Sequence, residues 1–173
     1  MRISKPTLFF GLFVVISASF TQQILFYFFE TFGKRQTATT LGIFFVLIGV
    51  AVIIYIFKQK IANLKKLCFC WLFILGLVLS WRMPIVAERI HILEYGLLGW
   101  LTLKDASKKY FSPKTIPFSL SIILVFSLMD EGFQFILPNR IADWRDVFIN
   151  LIGGCWGMGL FLMSPKLMER KRT

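Results

Sequence analysis

Apolar residues in this chain do not alternate with polar ones. They gather in long runs broken by short polar stretches such as Lys34-Arg35-Gln36, Lys58 to Lys66, Lys104 to Lys114 and Pro138-Asn139-Arg140. Six runs stand out, near residues 7–29, 41–57, 67–83, 88–103, 118–137 and 144–163. Each approaches the roughly 20 residues that a helix needs to cross the hydrocarbon core of a bilayer. The pattern predicts an all-α, polytopic transmembrane helical bundle of about six spans, built as one membrane domain over residues 1–173. The second, third and fourth runs are the shortest, which predicts tilt or local thinning of the bilayer. A transmembrane barrel would need short alternating strands instead. The first run offers a signal-peptide reading, with Leu8–Ile16 followed by Ser17-Ala18-Ser19. The apolar stretch continues through Ile24–Phe29, as an uncleaved anchor would.

Composition agrees with this reading: 57% of the 173 residues are hydrophobic and 17% aromatic, beyond the range of ordinary soluble domains. The net charge of +11 does not imply nucleic acid, because the basic residues sit in short segments between spans rather than on a soluble domain. They orient the bundle instead. Arg2, Lys5, Lys58, Lys60, Lys65, Lys66, Lys104, Lys108, Lys109, Lys114, Lys166, Arg170, Lys171 and Arg172 fall on one side. Lys34, Arg35, Arg82, Arg89, Arg140 and Arg145 fall on the other. The richer side is expected to be cytoplasmic, which places both termini inside. Cys68, Cys70 and Cys155 lie within apolar runs, and with a single histidine they give no zinc pattern.

Ionisable groups inside a span are costly and therefore point to a site. Four runs carry polar residues toward the same, predicted outer, end. The first contributes Thr21, Gln22 and Gln23. The fourth opens with Glu88, His91 and Glu94, the fifth ends with Ser127, Asp130, Glu131 and Gln134, and the sixth begins with Asp143, Asp146 and Asn150. The cytoplasmic halves look nearly free of such groups. At about 100° per residue, Ser127, Glu131 and Gln134 share one helical face with Asp130 beside them. Asp146, Asn150, Gly153 and Gly157 form one stripe, whose Gly153-x-x-x-Gly157 spacing suits close helix packing against the fourth or fifth span, or a second copy. His91 and Glu94 stand three apart and can meet. Asp143 reads most simply as a helix N-cap. Glu131 lies about two turns inside the end of its run.

Around these residues the chain resembles the VanZ-like family of small bacterial membrane proteins. The resemblance rests on His91-x-x-Glu94-Tyr95 with Leu97-Leu98, Asp130-Glu131-x-x-Gln134, Pro138-x-Arg140, and Asp146-x-x-x-Asn150 with Gly153, Gly154 and Gly157. It covers about residues 82–164, with Asn139 where the family commonly has glycine; the first two spans show no match. It implies a multi-pass protein of the bacterial cell (inner) membrane and a cell-envelope role, the family being named for a protein that gives low-level teicoplanin resistance. It supplies no reaction.

The residues themselves leave three readings. In the first, a non-catalytic outer-leaflet pocket binds a lipid-linked cell-wall precursor or a lipophilic glycopeptide. Arg140 and Arg145 would meet an anionic head there, since the guanidinium fork suits phosphate and carboxylate. Glu131, Gln134, Asp146, Asn150, His91, Glu94 and Asp130 would shape the pocket. Mg²⁺ could join through Asp130, Glu131 and Asp146, because a hard cation takes oxygen ligands. In the second, an intramembrane enzyme acts on a phosphate- or glycosyl-linked lipid, with Glu131 or Glu94 as general base and His91 as acid or proton shuttle. The third, a small transporter, fits least, because the polar groups lie off the midplane and no internal repeat is visible.

Overall fold

A computed structural model describes residues 2–83, 85–108, 111–136 and 143–164, apart from the side chains of Ser19, Gln22 and Ala87. The expected Pro138–Arg140 turn lies outside the described residues. Among those described there are six helices and no strand: α1 Lys5–Phe32, α2 Lys34–Phe57, α3 Asn63–Arg82, α4 Val86–Ala106, α5 Thr115–Ile136 and α6 Trp144–Met163.

Local chemistry sets several of the boundaries. Pro6 occupies the first turn of α1, where its missing N–H costs nothing. Gly33, at φ +83°, ends α1 and starts α2 without a loop; its N–H donates to Phe29 O. Because helix resumes at once, α2 begins at Lys34 rather than near residue 41. α2, α3 and α4 have 24, 20 and 21 residues, so none of them is short for a bilayer. Asp143 caps α6, accepting the Arg145 N–H at 2.8 Å. The halves Lys5–Ala18 and Gln23–Phe32 of α1 incline by 55°. At the bend, hydroxyls bond back along the helix, Ser17 Oγ to Val14 O at 3.0 Å at the end of the first half and Thr21 Oγ1 to Ser17 O at 2.7 Å across the break, a pattern that bends helices.

Four helices, α2, α3, α5 and α6, are long and apolar enough to cross a membrane outright, and α1 joins them if its bent halves form one span. α4 does not meet that standard, yet it is the centre of the bundle, packing against α6, α5, α1 and α3. Its acids need enclosure by other helices. The apolar α2 makes few contacts and turns Ile43, Phe44 and Leu47 outward. This inversion, apolar outside and polar inside, is what a lipid solvent selects.

The α4–α6 contact runs backbone to backbone. A Cβ on Gly157 would strike the Gly96 carbonyl, one on Gly99 would strike the Gly154 carbonyl, and one on Gly153 would come within 2.8 Å of Ile92 O. The glycine stripe of α6 is thus used within the chain, against α4. Trp156 closes the α3 side, its ring over Gly76 and Gly96 and its indole N–H donating to Leu72 O at 2.8 Å.

The expectation that the opposite end is nearly free of polar groups is corrected by the fold. Thr7, Thr102, Asp105, Thr115 and Ser119 are all buried there. Asp105 accepts the Ser4 N–H at 2.9 Å, the Ser4 hydroxyl at 2.5 Å and the Thr7 hydroxyl at 2.6 Å. Its second oxygen lies 2.6 Å from Lys108 Nζ. Asp105 stands past the apolar run of α4. Burial raises its pKa, but the Lys108 ammonium and the Ser4 and Thr7 donors outweigh that and hold it at about 2. An apolar layer including Val14, Leu98, Ile123, Phe126 and Met158 lies between the two polar ends.

Candidate functional site

At the end where α5 gives way to α6, side chains from four helices converge. α4 presents Glu88, His91 and Tyr95 at spacings of three and four, and Glu94 beside them. α5 presents Ser127, Asp130, Glu131 and Gln134, all buried. α6 adds Asn150, 1% exposed, and α1 adds Ser17.

Asp130 is the hub, with no solvent exposure. Tyr95 Oη donates to its Oδ2 at 3.2 Å and Gln134 Nε2 to its Oδ1 at 2.9 Å. His91 Nδ1 lies 3.9 Å from Asp130 Oδ2 and 3.6 Å from Glu94 Oε2, so both carboxylates address the same ring nitrogen. Ser17 Oγ holds Glu94 Oε1 at 3.3 Å, bringing α1 into the network. One turn deeper, Asn150 Nδ2 donates to Ser127 Oγ at 3.0 Å and ties α6 to α5. In an apolar surround each of these bonds counts for more than it would in water, and each partner left alone would cost more.

Asp130 and Glu131 are adjacent in sequence but diverge. Asp130 turns to α4. Glu131 Oε2 accepts the Asp143 N–H at 3.0 Å and so fixes the entrance of α6. Beside it opens a cavity of about 410 Å³, lined by Leu128, Glu131, Gly132, Phe135, Asp143, Trp144 and Val147. Its lining is mostly apolar and includes the carboxylates of buried Glu131 and exposed Asp143.

The expected residues therefore divide into two groups. Asp130, Gln134 and Tyr95 share one buried hydrogen-bonded cluster, His91 and half-buried Glu94 lie against it, and Asn150 bonds Ser127 one turn deeper. Glu131 and Asp143 face the cavity. Arg145 forms an ion pair with Glu88, and Asp146 sits half-buried in the first turn of α6. Arg140 lies outside the described residues. Of the other arginines, Arg89 donates to Met83 O at 2.9 Å and lies 5.4 Å from the Trp81 ring, while Arg82 is exposed. Asp130, Glu131 and Asp146 are not brought together, and among the described residues no group of three His, Cys, Asp or Glu side chains is placed to hold a metal ion. Ser17 and the Asp105 cluster carried no signal strong enough to find from sequence. The Tyr95 role did, since it stands one turn from His91 on the same face.

The model of the VanZ/LLP1 family matches residues 7–165. The chain belongs to the VanZ/LLP1 family. Its match reaches beyond residues 82–164 to include α1 and α2, whose apolar sequences show no legible motif. Protein VanZ of Enterococcus faecium is 34% identical over 83 residues, 48% of this chain. The match spans about half the length of that relative, 47%. No solved structure matches.

Proposed function

We propose that this VanZ-family membrane protein binds an amphiphilic, lipid-linked ligand of the cell envelope in the outer-leaflet cavity between α5 and α6, without transforming it. The observation that carries this is the cavity itself: apolar walls of Leu128, Phe135, Trp144 and Val147 together with the carboxylates of Glu131 and Asp143. Its volume lies in the range of small-molecule sites. A chain would lie on the walls while hydroxyl or amine donors of the head reach the carboxylates. A phosphate on the head would draw on Arg145 and, from its place in the sequence, Arg140. Lipid-linked wall precursors and lipophilic glycopeptides both have this build, and sequestering either would bear on the glycopeptide resistance for which the family is named. The location that goes with this reading is the bacterial inner membrane, with both termini cytoplasmic.

The test uses protein in nanodiscs with an undecaprenyl-linked wall precursor, with and without Mg²⁺, read by mass spectrometry. Gly132→Leu fills the cavity from a position where a Cβ meets nothing within 4 Å. Wild type should retain the precursor unchanged in mass, and Gly132→Leu should retain at least tenfold less. Equal retention by both would overturn the reading.

A second reading, an intramembrane enzyme, draws on His91, whose Nδ1 faces Glu94 and Asp130. A carboxylate at one ring nitrogen orients the imidazole for proton transfer at the other. A changed lipid mass that disappears in His91→Gln would select this reading over the first.

A further inference from the structure

A different part of the bundle carries a second lipid signature. Trp81, near the end of α3, stands edge-on to α2, where a Cβ on Gly42 would meet its Cη2 at 2.6 Å. Two apolar grooves flank this ring and share Leu77 as a wall. One, a narrow cleft of about 60 Å³, runs between α2, α3 and α4, from Ala38 past Phe45 and Val46 to Leu93. Ala38 to Val46 is eight residues of α2, about 12 Å at 1.5 Å per residue. The other, about 380 Å³, runs along α3 beside Ile74 and Val78.

Each groove has an arginine in its lining near the same end. Arg89 belongs to the first and Arg82 to the second. Neither has a carboxylate within ion-pair distance among the described residues; Arg89 is held by Met83 O and lies over the Trp81 ring. Lys34 and Arg35 open α2 at this same end. The nearby acid Glu88 is already paired with Arg145. The rim is therefore cationic, and the shafts below it are apolar.

We propose that α2, α3 and α4 form a binding site for an anionic glycerophospholipid. Its phosphate sits between Arg82 and Arg89, and its two acyl chains lie on either side of Trp81. The wider groove along α3 seats one chain and the narrow cleft beside α2 guides the second, whereas a single-chain polyprenyl phosphate would use the wider groove alone. Unpaired guanidinium groups at a bilayer interface attract anionic headgroups, and an interfacial tryptophan fixes the depth of the head. This site shares no lining residue with the α5–α6 cavity and does not depend on the function proposed for it.

The experiment is native mass spectrometry of the full chain, released from nanodiscs of equal phosphatidylglycerol and phosphatidylcholine. Wild type should retain phosphatidylglycerol over phosphatidylcholine by at least tenfold. That preference should vanish in Arg82→Gln/Arg89→Gln and survive in Arg82→Lys/Arg89→Lys. Should the glutamine pair fail to fold, Arg82→Glu, at an exposed position, must still lower the preference. Equal retention of the two lipids by wild type, or an undiminished preference in Arg82→Glu, would overturn the proposal. Displacement of phosphatidylglycerol by an equimolar polyprenyl phosphate would overturn the two-chain assignment.

Discussion

Tyr95 is fully buried, and its hydroxyl donates to Asp130, with the Ser127 hydroxyl also within its reach. Tyr95→Phe removes one donor from a carboxylate that has no solvent to turn to. Losing a hydrogen bond to a buried charged group costs about 1–3 kcal/mol. The expected outcome is a lowered unfolding midpoint in detergent, with secondary structure intact by circular dichroism; an unchanged midpoint would mean that Asp130 is satisfied elsewhere. Gln134→Leu acts on the other oxygen of the same carboxylate. The double variant should therefore depart from additivity, since both residues serve one acceptor. The division of labour between Asp130 and Glu131 also belongs to this scale. Spacing put Ser127, Glu131 and Gln134 on one face with Asp130 beside them, and all four are buried together. Spacing could not say that Glu131 would be drawn to the Asp143 N–H, because that bond depends on where α6 begins in space.

The glycine contacts show what an element-level reading could and could not reach. Gly153 and Gly157 were legible as a close-packing stripe, but the partner helix was not, because α4 and α5 both carry complementary small and polar residues. The answer lies on α4, where Gly96 and Gly99 supply matching gaps. Gly157→Ala places a Cβ onto the Gly96 carbonyl, which is backbone and cannot rotate aside. Overpacking of this kind costs about 1–3 kcal/mol or more, and here it would also separate α4 from α6 and loosen the bonds that cross them. A loss of at least that size is expected on chemical unfolding. Gly132→Ala is the control. Its added methyl meets nothing within 4 Å, and removing a helical glycine should be neutral or stabilising by up to about 1 kcal/mol. A comparable loss at both positions would show that helix propensity, not the α4–α6 contact, governs the response. The same logic explains α4 itself. Hydropathy ranks it lowest among the helices because it carries the acids, and those acids are the reason the others surround it.

Across the whole molecule, the apolar runs foretold an all-helical fold. What escaped was the far polar end, because Ser4, Thr7, Asp105 and Lys108 are ordinary residues in ordinary loop-flanking positions until the fold joins α1 to α4. That junction has a pH signature. The folded-state pKa of Asp105, about 2, lies below its ordinary value of 3.8, so the stabilisation is complete above that ordinary value and fades as pH falls through about 2. Asp105→Asn removes the charge that Lys108 and the Ser4 and Thr7 donors address, while keeping the shape. At neutral pH the variant should be less stable than wild type by about 1–3 kcal/mol, the cost of weakening bonds to a charged acceptor. Thermal unfolding of both proteins from pH 7 to pH 2 should show that gap holding steady down to about pH 4 and then closing. Other carboxylates titrate in both proteins alike, so the difference between the two curves isolates Asp105. A gap that stays constant to pH 2 would mean that Asp105 contributes by its shape alone. Because α1 bears Ser17 and Thr7 and is capped by Ser4, loosening its anchored end should also weaken the Ser17–Glu94 contact across the apolar layer. Faster hydrogen exchange in α1 from Ser17 onward in Asp105→Asn would register that coupling; protection there equal to wild type would show that the two polar ends act independently.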